Sequence, residues 1–258
     1  MKLEATADPS QTRVAAFDPS PNLAWLFVFP HPDDELAIAA WIRRLARGGN
    51  RVGLCWAHHT DERREESTNV ARKIGLRDDT LVFLGLPDGG LPEALPELVG
   101  RLSQVVSDFR PVRVATAAFE QGHPDHDAVN FAVHQVWPGP TLEFPLYHSY
   151  ATPFQTIGRF DDERGSETID LDADEQELKV ELAKMFPSQN LWSALVWNEV
   201  RLVLTGRGGE LRKWERLRVQ SHFDYDAPGL QPRLAAKVRR TASWRRWQAA
   251  VARYRSTS

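Results

Sequence analysis

The chain has 258 residues, 42% of them hydrophobic and 26% charged, with a formal net charge of −3. That length holds one large α/β domain or two small ones, and the charge balance excludes a bulk polyelectrolyte that binds nucleic acid. A single cysteine, Cys55, excludes an internal disulfide framework and fits a reducing compartment.

The leading residues MKLEATADPSQTR carry no apolar core of a secretory leader. No apolar run approaches the ~20 residues that span a bilayer. A cytoplasmic protein is the expectation. Residues 1–21 are polar and broken by proline, which predicts an irregular lead-in. Leu23–Phe29 is continuously apolar, the pattern of a strand covered on both faces. Glu35–Arg47 has helical apolar spacing and stops at Gly48-Gly49. Strands are predicted over Arg51–Trp56, Thr80–Leu84, Arg113–Ala118 and Leu142–Tyr147, and helices over Arg63–Ile74, Pro92–Phe109 and Asp125–Val136. Four strand–helix units in a row predict a Rossmann-like, doubly wound, mostly parallel α/β sheet of order 3-2-1-4-5, with helices on both faces. A further strand is expected at Glu167–Leu171 and a helix at Asp174–Met185, capped by Asp172 or Asp174.

These elements divide the chain into a lead-in, a catalytic unit over 22–190 and a C-terminal α-rich extension over 191–258 that packs on it. Residues 231–258 hold eight Lys or Arg and no acid, with Trp244, Trp247, Val251 and Tyr254 on one helical face. The expectation is a docked helix with a solvated basic face. The alternative is contact with anionic headgroups at a membrane surface or with an anionic substrate.

Two segments concentrate chemistry. PHPDDE, residues 30–35, follows the first strand, and GHPDHDA, residues 122–128, follows the fourth. In the order 3-2-1-4-5 these strands adjoin and their connections leave to opposite faces, which opens a crevice at their carboxyl ends. Neutral imidazoles with carboxylates suit a divalent ion, most often zinc, and three protein ligands leave a position open for catalysis. His31, Asp34 and His126 are the candidate ligands. Asp33 is the candidate general base for a water, and His123, if protonated, the donor to an oxyanion and then to the leaving amine. Asp125 is placed to hold the ring of His123 or of a ligand. Glu35 is expected to favour the N-terminus of its helix. His58 and His59 can approach the crevice, but a histidine pair in a loop is expected to be exposed. Cys55 is expected in the core.

The two clusters together resemble the PIG-L/LmbE-like family of zinc-dependent N-acetyl-sugar deacetylases. RREESTNVARKIGL at 63–76, LGLPDGGL at 84–91 and LAKMFPSQ at 182–189 extend that resemblance over about residues 22–190. It implies the same ligands, base and oxyanion donor, and adds Arg63 and Asp88 as residues that hold the sugar. Some members carry a tyrosine two residues before the first histidine of the second motif; Gln121 stands there in this chain. The expected activity is removal of the N-acetyl group from an N-acetylglucosamine-type sugar in a glycoside, nucleotide sugar or glycolipid, with Zn²⁺ as cofactor and no nucleic-acid partner. The alternatives are hydrolysis of another amide, such as a thiol-sugar conjugate, and an inactive sugar-binding module. Tyr147, Tyr150, Phe154, Trp192 and Trp197, in or near loops 147–165 and beyond 186, are candidates to stack on a sugar or to pack.

Overall fold

A computed structural model describes residues 15–152 and 155–257. Most of the expected lead-in, and Phe154, lie outside the described residues. Strand β1 (Ala24–Phe29) runs through the middle of the main sheet. Its continuous apolar run follows from burial on both faces: Trp25, Phe27 and Phe29 enter one core, Leu26 and Val28 the other.

The chain continues through α1 (Ala39–Arg47), β2 (Arg51–His58), α2 (Asp61–Lys73), β3 (Leu81–Leu86), α3 (Leu95–Phe109), β4 (Arg113–Ala117), α4 (Pro124–Val136) and β5 (Thr141–Phe144). These strands are parallel in the expected order 3-2-1-4-5. Helices α1 and α2 pack on the Trp25 face, and α3 and α4 on the opposite face. Trp56 stacks on Phe83 at 4.5 Å between β2 and β3. Cys55 lies in the core, and burial pushes its thiol up to about 12.

The expected fifth strand ends early, at Phe144. Pro145 has no N–H to donate to a ladder. The chain resumes in a two-residue strand, β6 (Tyr147–His148), paired with β7 (Thr156–Ile157) in a separate small sheet. Then follow β8 (Ser166–Asp170), α5 (Ala173–Ala183), α6 (Leu191–Leu204), the short α7 (Glu210–Lys213), β9 (Trp214–Val219), α8 (Pro232–Val238) and α9 (Ala242–Thr257). Asp172 caps α5 and forms a capping box with Glu175.

Strand β9 was not predicted. It inserts between β5 and β8, antiparallel to both, and completes a seven-stranded sheet. Its Glu215 accepts the N–H groups of Ala40 (2.9 Å) and Trp41 (2.8 Å) at the start of α1, and pairs with Lys179 at 3.0 Å. The free N-terminus of α1 is therefore satisfied by a residue 175 positions later. Helix α9 docks with Trp244, Trp247 and Val251 buried against the α3–α4 face. Three of its cations pair with acids: Arg246 and Arg253 with Glu93, and Arg255 with Asp226 at 2.8 Å. Among the described residues no helix is long and apolar enough to cross a membrane.

Candidate active site

The segment after β1 is a tight turn. His31 N–H donates to Asp34 Oδ2 at 3.0 Å, which folds the carboxylate back over the turn. Asp33 has φ 102°, a left-handed conformation that non-glycine residues adopt at a cost of roughly 1–3 kcal/mol. Glu35 holds it there. This fully buried carboxylate accepts from Asp33 N (2.9 Å), Trp56 Nε1 (3.0 Å) and Ser67 Oγ (2.6 Å), and so ties the turn to β2 and α2. It does not cap a helix: Asp34–Ala37 is a separate 3₁₀ turn, and α1 begins at Ala39.

The second cluster is fixed from below. Glu143 on β5 accepts from Phe119 N (3.1 Å) and Asn130 Nδ2 (3.0 Å), and pairs with Arg218 of β9 at 2.8 Å. Asp127 accepts from the N–H of Gln121 at 3.2 Å. His123 caps α4, its Nδ1 accepting from Asp125 N at 3.2 Å. The neutral ring therefore carries its proton on Nε2.

Topology brings the clusters together. Asp34 Oδ2 lies 3.5 Å from His31 Nδ1 and 3.7 Å from His126 Nε2. A tetrahedral ion with bonds of about 2.0–2.1 Å separates its donors by about 3.3 Å. Both Asp34 contacts are near that spacing, and two imidazoles with one carboxylate are a donor set that suits such an ion. Nitrogens of His31, His123 and His126 also lie within 4.8 Å of one another.

Asp125 faces His31 and not the ring of His123. Its Oδ2 is 3.0 Å from His31 Nε2, and the carboxylate also accepts from Gly89 N (2.7 Å) and Leu91 N (3.1 Å). Asp88 Oδ1 shares the same ring nitrogen at 3.3 Å. With Nε2 protonated toward these acids, His31 Nδ1 is free to face Asp34. Arg63 enters from α2, donating to Pro32 O at 2.6 Å, with Asp33 at 3.6 Å and Asp88 at 3.9 Å. His58, expected to be exposed, is buried at the end of β2; its Nδ1 meets Leu86 O at 2.8 Å and its ring lies 6.0 Å from His31. Tyr147 places its hydroxyl 3.3 Å from His126 Nε2. Its aromatic type alone did not show that it reaches a ligand.

The electrostatics follow from burial and pairing. Burial alone would lower the His31 ring, but hydrogen bonds to Asp125, Asp34 and Asp88 hold it well above an ordinary imidazole. Burial drives His126 down to about 3, so it is a neutral lone-pair donor at pH 7. Burial also holds His123 below an ordinary imidazole, which favours a neutral N–H donor there over the imidazolium form. Asp33 is raised well above a usual carboxylate by burial and by the adjacent Asp34, against the pull of Arg63. For Asp34 burial acts upward, but the neighbouring His126 and His31 rings and the hydrogen bonds from His31 outweigh it, and the net shift is down.

These side chains open into a cavity of about 820 Å³ that includes His31, Asp33, Asp34, Arg63, Asp88 and His123. Ile157, Gly158 and one face of α6 wall its far end. Trp192 lines it, whereas Trp197 lies on exposed surface and Tyr150 packs on the core.

Fold and site define a doubly wound α/β protein with an imidazole–carboxylate crevice at the switch point of its sheet. A family model described as PIG-L: GlcNAc-PI de-N-acetylase matches residues 26–137, and the chain is similar to that family over that segment. A Bacillus cereus protein described as "Probable N-acetyl-alpha-D-glucosaminyl L-malate deacetylase 2" is 30% identical over 148 residues, covering 49% of this chain and 66% of the relative. The match thus spans slightly under two thirds of that relative's length. Among solved structures, the A40926 pseudoaglycone deacetylase Dbv21 aligns with TM-score 0.55 at 16% identity, over 78% of this chain and 100% of its own. The 4-carboxy-2-hydroxymuconate hydratase GalB of Pseudomonas putida KT2440 aligns with TM-score 0.52 at 14% identity, over 79% of this chain and 98% of its own. These two likenesses establish the fold; a deacetylase and a hydratase share it.

Proposed function

We propose that the protein is a metal-dependent hydrolase that removes the N-acetyl group of an amino sugar. The observation that carries this reading is the position of Asp34 Oδ2, 3.5 Å from His31 and 3.7 Å from His126, with Asp33 beside it. His31, Asp34 and His126 would hold the ion, and zinc suits this donor set. A bound ion polarises an amide carbonyl and makes water more acidic. The rest falls to the chain's own residues. Asp33, with its raised pKa, takes a proton from the attacking water. His123 Nε2–H donates to the oxygen on which charge develops. The C–N bond breaks, and the proton held by Asp33 passes to the departing nitrogen, so acetate and a free amine leave. Asp125 fixes the tautomer of His31. Arg63 and Asp88, at the polar end of the cavity, would contact the sugar hydroxyls. The family description and the B. cereus relative's description both name an N-acetylglucosamine-containing substrate and support this class.

Acetate release from N-acetylglucosamine glycosides, measured before chelation, after chelation and after zinc is restored, tests the proposal. Activity should vanish and return. Sugar binding with no acetate from metal-loaded protein would point instead to a binding module.

A further inference from the structure

The C-terminal helix reaches the crevice. Helix α9 is anchored by Trp244 and Trp247, three positions apart on one face, which are buried among Leu95 and Leu98 of α3 and Val129 and Phe131 of α4. Trp247 Nε1 also donates to Tyr225 O at 3.0 Å. Arg246 stands between these anchors, so its backbone is fixed although its side chain is 41% exposed.

The Arg246 guanidinium serves two partners. Its Nε donates to Glu93 Oε1 at 2.7 Å, and its Nη2 donates both to Glu93 and, at 2.5 Å, to Gly89 O. Glu93 and Gly89 belong to the connection from β3 to α3. That connection carries Asp88, and its Gly89 and Leu91 N–H groups are the donors that hold Asp125.

A turn built on Gly89-Gly90 needs support. Gly89 has φ 64°, and glycine loses more conformational freedom on ordering than any other residue. Across Asp88 the turn closes from Gly90 N to Pro87 O at 3.3 Å, beyond the usual range of such bonds. Gly89 is instead gripped from outside at both backbone atoms: its N–H by Asp125 of α4, its carbonyl by Arg246 of α9. The Asp88 side chain beside it is 58% exposed, so its own packing does not aim it. The backbone does, and it brings the carboxylate 3.3 Å from His31 Nε2 and 3.9 Å from Arg63. An ordinary surface ion pair with Glu93 would need no bond to Gly89.

We infer that Arg246 is a positioning residue of the crevice. From a helix outside the segment that matches the family model, it fixes the Gly89 peptide and through it Asp88, and it steadies the donors that hold Asp125 against His31. The positioning stands on this geometry; its effect on turnover rests on the proposed function.

Two measurements separate those parts. In the first, amide hydrogen exchange is followed by NMR in Arg246→Ala, Arg246→Lys and Arg253→Ala. Alanine suits a helix surface, so the variants should fold. Losing one hydrogen bond of typical net worth shifts a local opening about fivefold, so Gly89 and Leu91 should exchange about fivefold faster in Arg246→Ala. Lysine keeps the charge without the fork that serves two acceptors, so it should restore part of the protection. Arg253 meets the same Glu93 at 4.0 Å, farther along the helix, and Arg253→Ala leaves the Gly89 bond intact, so exchange there should stay parental. Unchanged exchange in Arg246→Ala, or equal acceleration in Arg253→Ala, overturns the inference. In the second, acetate release from an N-acetylglucosamine glycoside should show KM about fivefold higher in Arg246→Ala at similar kcat, partly recovered by lysine and parental in Arg253→Ala. Parental kinetics in Arg246→Ala also overturn it. If the exchange pattern holds while the parental protein turns over no N-acetyl compound, the positioning stands and the deacetylase reading falls.

Discussion

Asp125→Asn separates a ring-positioning role from a purely structural one. The native carboxylate faces three donors: the His31 ring N–H at 3.0 Å, Gly89 N–H at 2.7 Å and Leu91 N–H at 3.1 Å. An amide has one acceptor oxygen, so at least one donor must meet an NH₂ group. If that donor is Leu91, a buried N–H is left unpaired, at a cost of about 1–3 kcal/mol. If the NH₂ faces His31 instead, the ring must move its proton to Nδ1, and the lone pair directed at Asp34 is lost. Loss of such an orienting carboxylate typically weakens metal binding 10–100-fold. Urea unfolding of metal-free protein and calorimetric zinc titration measure the two effects. The pH dependence has a definite sign. The folded His31 pKa lies above its unfolded value near 6.5, so the stability it contributes is fully present below pH 6.5 and is lost as pH rises through the folded value. The destabilisation by Asp125→Asn in metal-free protein should therefore shrink toward alkaline pH. Unchanged stability together with unchanged zinc affinity would refute the argument.

Asp33→Asn should retain zinc and lose about 10²–10⁴-fold in acetate release, and near-parental turnover in metal-replete protein would remove Asp33 as the base. Glu215→Ala should destabilise by about 3–5 kcal/mol in chemical denaturation, because it strands buried Lys179 and uncaps α1; a loss below 1 kcal/mol, on the scale of a surface pair, would count against that account. Arg246→Ala, which breaks a half-exposed pair with Glu93 and the hydrogen bond to Gly89 O, should cost under about 1 kcal/mol at pH 7. Arg246 depresses the Glu93 pKa below 4.5, so the pair contributes above pH 4.5 and fades as pH falls through the folded value. An ion-pair contribution that grew on acidification, measured by double-mutant cycle, would contradict this.

The sequence by itself determined the parts that local patterning controls. Continuous apolar strands alternating with amphipathic helices specify a parallel sheet, because only burial on both faces tolerates such runs. The repeated His-Pro-Asp turns after the first and fourth strands gave the crevice and its polar residues, because right-handed crossovers leave few ways to order those strands. Sequence did not show what lies across the crevice. Asp125 faces His31 rather than His123, His58 is buried beside it, and Tyr147 reaches His126, because the path of each backbone aims these side chains. Strand β9 was invisible as well: a run containing Glu215, Arg216 and Arg218 lacks clean alternation, and each charge is buried on a partner far along the chain. The apolar face of α6 reads in sequence as ordinary core. Only the tertiary structure leaves it open beside the polar crevice, because packing decides which hydrophobic faces find a protein partner.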